Sequence, residues 1–195
     1  MELHKIGVKV FSAEREPLDL LKLIPVFHRW IQTSAVDDLL IDVADYSHVH
    51  NGPGILLIAH QGNYGYEETD GRRGVVYYSK HPLDGPLEQR IGTVAAKSLM
   101  ACSRLLQEKS VAEKVAFPVA EVEIFANDRL AAPNTDDAFQ ALRPALEAVA
   151  ARLFSDGGYE LERVDNDPRE RLTARIRASG TEGETPETLL ERLAA

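Results

Sequence analysis

With one cysteine, the chain can form no internal disulfide, and Cys102 is left as a free thiol or as core filling. No apolar run approaches the ~20 residues that a membrane-spanning helix needs. The opening, MELHKIGVKVF, lacks an apolar stretch followed by a small-residue cleavage site. From these absences a cytoplasmic protein with no membrane partner is expected. An excess of positive charge is missing too: 22 Lys and Arg face 31 Asp and Glu, a net charge of −9. Nucleic-acid binding, which uses Lys and Arg to displace phosphate counterions, is therefore not expected. The sequence also has no Gly-x-Ser-x-Gly elbow, no Walker loop and no Gly-x-Gly-x-x-Gly turn after a strand. No cofactor is expected.

What is present reads as alternating strands and helices. KIGVKVF sets Ile6, Val8 and Val10 on one side and predicts a strand. Leu20, Leu23, Ile24, Phe27, Trp30 and Ile31 follow a helical period, with Pro25 expected to bend or interrupt the helix. DLLIDVADY and GILLIAH predict a hairpin around residues 45 to 54, and NYGYEE and GVVYYSK a second. A long helix is predicted over about 86–108, with Cys102 on its apolar face. VEIFA reads as a strand. Asn134-Thr135-Asp136-Asp137 supplies the cap and first-turn acid of a helix that carries Pro144 in mid-run. YELERV and LTARIRA give a last strand pair.

This order predicts an α+β fold: an antiparallel sheet with helices on one face. A pseudo-repeat of strand–helix–strand–strand units is expected within it. One domain is expected over 1–178, with lobes 1–117 and 118–178, followed over 179–195 by a flexible acidic tether and a short helix.

The phrases KIGVKVF, IPVFHRWIQ, LLIDVADYSHV with GPG, and NDRLAAPN together resemble a small family of bacterial proteins of unknown function, over about residues 1–135. The resemblance implies no activity. In layout alone, the repeated units are similar to those of GyrI-like ligand-binding domains, which place a pocket between two such units. A ferredoxin-like reading of the first 126 residues fits the element order equally well.

Two sites compete. Five of the six tyrosines, Tyr46, Tyr64, Tyr66, Tyr77 and Tyr78, lie between residues 46 and 78. Tyr64 and Tyr66 share a strand face and Tyr77 returns beside them, so a half-exposed tyrosine sheet is expected, with Tyr46 and His60 at its margins. It would make the protein a non-enzymatic module binding a small molecule or a protein, and would favour a homodimer. The other site is DYSHVHNGPG. Asp42, Asp45, His48 and His50 offer imidazole and carboxylate ligands that suit zinc, iron or manganese in a hydrolase-like enzyme. His60 falls at the far end of the predicted hairpin, roughly 20 Å away at ~3.3 Å per residue, and cannot join them. The same loop has a plainer reading, in which Asp45 bonds amides ahead of it and Asn51-Gly52-Pro53-Gly54 shapes a turn.

Overall fold

Alternation along each strand and a 3.6-residue period along each helix build the molecule, of which the computed structural model describes residues 2–154 and 158–194. In chain order the elements are β1 (Ile6–Phe11), the short β2 (Ala13–Glu14), α1 (Leu23–Thr33), β3 (Leu40–Tyr46), β4 (Gly54–Ala59), β5 (Gly62–Glu67) and β6 (Gly74–Ser79). Then come α2 (Leu87–Leu106), α3 (Lys109–Ala112), β7 (Val115–Ala116), β8 (Glu121–Ala126), α4 (Asp136–Leu153), β9 (Tyr159–Arg163), β10 (Thr173–Ala178) and α5 (Pro186–Ala194). Eight strands form one antiparallel sheet in the order β3-β4-β5-β6-β1-β8-β10-β9, and β2 pairs with β7 apart from it. The fold is α+β.

Register divides the sheet into two faces. Ile6, Val8 and Val10 of β1 stand beside Val75 and Tyr77 of β6 and Val122, Ile124 and Ala126 of β8. This row continues through Tyr64 and Tyr66 and packs with Ile91, Leu99 and Leu105 of α2 in the core. Cys102 belongs to the same core and is fully buried, which pushes its thiol up, well above the ordinary range. The opposite face carries Gly7, Lys9 and Phe11 of β1, and no helix covers it among the described residues.

Both prolines are accommodated without a break. A 3-10 turn over Leu20–Lys22, capped by Asp19, precedes α1, so Pro25 falls in the first helical turn. There its missing N–H has no intrahelical partner to lose. Pro144 lies inside α4 on the exposed side, where water can reach the freed carbonyl, and α4 continues to Leu153. Thr135 caps α4 by accepting from the Ala138 amide. The order strand–helix–strand–strand occurs in β1–α1–β3–β4 and in β8–α4–β9–β10, but β1 pairs with β6 whereas β8 pairs with β10. The terminal helix α5 lies on α2 and α4 with Leu189 buried.

The β5–β6 hairpin lies inside the sheet, so neither strand is an edge. The outer strands are β3 and β9. On β3 the pairing slips between Leu40 and Asp42, and the Asp42 carboxylate accepts the Val43 amide at 2.8 Å. A bulge is one way of blunting a sheet edge.

Candidate functional site

The sequence places the tyrosines on one face correctly, but that face is the core. Tyr64, Tyr66 and Tyr77 are at most 1% exposed, packed under α2. The alternate positions Asn63, Gly65 and Glu67 turn to the open side. A tyrosine with glycine and asparagine neighbours looks amphipathic in sequence; here the small neighbours hollow the open face. The basis for a homodimer through a tyrosine patch goes with this burial. Tyr46 and His60 are exposed at opposite ends of the β3–β4 hairpin.

The buried phenols have a shared anchor that the sequence reading missed. Asp38, from the loop before β3, accepts Tyr64 Oη at 2.9 Å and the Lys97 ammonium of α2, and its charge also bears on Tyr77, whose ring lies 4.6 Å from that of Tyr64. Burial first, and the Asp38 charge second, push Tyr64 and Tyr77 far above the ordinary phenol range. Tyr66, bonded to Ser12 Oγ at 2.8 Å, is pushed up to about 12 by burial.

The histidine loop does not gather its ligands. Asp45 accepts from Ser47 Oγ at 2.6 Å and from its amide at 2.9 Å, bonds that hold its carboxyl below the usual range. Asp42 is taken by the Val43 amide, and His48 and His50 are exposed. Among the described residues no three His, Cys, Asp or Glu side chains converge as a metal site would require. We expect His48→Ala with His50→Ala to change stability by less than about 0.5 kcal/mol, as exposed loop positions do. Thermal melts with and without a chelator check this; a large drop matched by chelation of the parent protein would restore the metal reading.

A concavity lies on the open face of the sheet. It is a groove of about 980 Å³, and residues 51–53 of the histidine loop, the turn around Asp70 and the loop 164–171 form its rim. Register sets its floor. Asn63, Tyr78, Gly7, Phe125 and Thr173 stand side by side in one row, and Gly65, Val76, Lys9, Glu123, Arg175 and Glu162 in the next. Gly7 is required here, because a Cβ on it would lie 2.1 Å from the Phe125 ring, which rests on this strand.

The floor is charged as well as apolar. Lys9, 4% exposed in its side chain, meets Glu67, 10% exposed, at 2.9 Å, and donates to the Arg72 carbonyl at 2.7 Å. Arg72 lies over the Phe11 ring at 3.6 Å and reaches Glu121 at 2.7 Å. Arg175 joins Glu121 and Glu123 at 3.0 and 2.6 Å, and Arg177 joins Glu162 at 2.7 Å. Burial alone would raise the Glu121 carboxyl, but Arg72, Arg175 and Arg177 outweigh it and hold the group below its ordinary range. The signal was in the sequence: Glu-x-Glu, Arg-x-Arg and Glu-x-Glu recur in β8, β10 and β9, an alternation that puts one charged row on one face.

Compared with known proteins, the chain matches no family model, no curated protein and no solved structure.

Proposed function

We propose that the protein is a non-enzymatic binding module that holds a small polar molecule in the groove on the open face of its sheet. The observation that carries this reading is the Lys9–Glu67 pair, two charges buried on the groove floor. Burying an ion pair is a poor route to stability, since desolvation offsets most of the attraction. A charged floor under a cavity at the upper end of the ordinary ligand-site range instead offers a ligand fixed polar contacts. Binding is favoured over catalysis because the floor charges engage one another, Lys9 with Glu67 and Arg175 with Glu123. Such pairing suits orientation of a ligand better than proton transfer. The histidine loop contributes Asn51, Gly52 and Pro53 to the rim.

Amide-resolved NMR of the labelled protein against a set of small acids, amines and sugars tests this. Saturable shifts are expected at the amides of β1, β6 and β8 that floor the groove. Shifts confined to other surfaces, or none at millimolar concentration, would refute the reading.

A further inference from the structure

Apart from the groove and its ligand, we propose that the outer edge of β9 takes up an extended basic segment of a partner protein, which pairs with it as a further strand of the sheet. The register decides which backbone groups face outward. The Val164 amide donates to the Thr173 carbonyl of β10, and the Ser179 amide to the Gly158 carbonyl. Glu160 and Glu162, of the same parity, therefore turn their N–H and C=O groups to β10. Tyr159, Leu161 and Arg163 turn theirs away, and no described residue bonds them.

The two edges of the sheet differ. On β3 the pairing slips between Leu40 and Asp42, and the Asp42 carboxylate takes the Val43 amide. β9 runs in continuous register over its 5 residues, with no bulge and no proline, so its outward amides stand in regular two-residue steps. Such a row is a template for an added strand.

Charge selects the occupant. On the open face Glu121, Glu123, Glu160 and Glu162 of β8 and β9 flank Arg175 and Arg177 of β10, four carboxylates to two guanidiniums. Glu162 shares Arg177 at 2.7 Å, whereas Glu160 meets no cation among the described residues. The one basic side chain of β9, Arg163, is already paired with Asp136 at 2.8 Å. A second copy of the chain is a poor partner for this edge. Two β9 strands paired through all three amides about a two-fold axis set Glu160 against Glu162 of the second copy, twice, and like charges directly opposite repel. A strand with Lys or Arg at alternate positions meets Glu160 and Glu162 instead. Apolar residues between them fall beside the half-buried Tyr159 and Leu161 on the helix side.

The test uses the isotope-labelled full chain and a blocked heptapeptide, acetyl-Thr-Lys-Val-Lys-Val-Lys-Thr-amide, with a counterpart in which Glu replaces each Lys. The Lys peptide is expected to shift the Tyr159, Leu161 and Arg163 amides saturably. At about ten times its Kd it should slow their hydrogen exchange roughly tenfold, as the free fraction falls by that factor. The Glu peptide is expected to do neither. Glu160→Lys with Glu162→Lys should reverse the preference. Leu161→Pro, which deletes a central N–H that bonds nothing in the fold, should abolish binding of the Lys peptide. The rest of the amide spectrum reports whether each variant is folded; if the proline variant unfolds, the charge reversal alone decides. Amides of β9 that stay in place at millimolar Lys peptide overturn the proposal. So do equal responses to both peptides, which remove the charge selection, and protection that grows with protein concentration alone, which seats a second copy on the edge. None of these outcomes bears on the groove, which is read at the amides of β1, β6 and β8.

Discussion

Asp38→Ala is expected to destabilise the protein by about 3–5 kcal/mol, the cost of removing one partner from a buried charged network. The Asp38 side chain is 2% exposed and holds Tyr64 and Lys97 at once, with its charge acting on Tyr77. Without it the Tyr64 hydroxyl loses its acceptor in the core, and an unmet buried group costs about 1–3 kcal/mol. The Lys97 side chain is 21% exposed and can swing its ammonium into water, so Lys97→Met should cost far less. Urea unfolding of both variants checks the ranking. An Asp38→Ala loss below about 1 kcal/mol would mean that the carboxylate is not the anchor of these tyrosines.

Alkaline pH should act on the same core with comparable force. Tyr64, Tyr66 and Tyr77 have folded values raised above the ordinary phenol value of 10, so the folded state keeps protons that the unfolded chain releases. Their contribution is fully present below pH 10 and is lost as pH rises above it. For Tyr66 the loss ends near about 12, and for Tyr64 and Tyr77 it continues higher. Each costs about 1.4 kcal/mol per pH unit in that window, so the three together should remove about 4 kcal/mol by pH 11. Denaturant unfolding at pH 9 and 11, with tyrosinate absorbance followed in parallel, measures this. The signal of these three phenols should appear only with unfolding; their ionisation in the folded protein, or equal stability at both pH values, would contradict the burial.

The strands and helices were legible because the local rules and the fold agree. Ile6, Val8 and Val10 alternate as the sheet requires, and the period through Ile91, Leu99 and Cys102 marks the buried side of α2. The site was not legible for a reason specific to this sheet. Both of its faces bury side chains: Tyr64 and Tyr66 on the helix side, Lys9, Asn63, Glu67 and Phe125 on the open side. Alternation tells which residues share a face but not which face is the core. Tyrosine looked like surface and lysine like solvent, and the reverse holds for Tyr64 and Lys9. Asp38 and Arg171 sit in loops without periodicity, so only the fold brings them to Lys97 and to Phe125.

The position of β1 has a kinetic side. Of the described strands it is the first to be synthesised, yet it holds the middle of the sheet, between β6 and β8. One neighbour is complete at Ser79; the other starts only at Glu121, roughly 5–20 s of synthesis after Phe11 at ordinary elongation rates. Until then β1–β6 presents a bare margin, and Gly7 has no Phe125 ring upon it. With β6 already paired to β1, the loop left to close runs from Ser79 to Glu121, and a pairing that non-local is intrinsically slow. The groove is therefore among the latest parts of the molecule to exist: its floor comes from the two ends of that interval, and a chain halted before β8 can carry the tyrosine core but no groove.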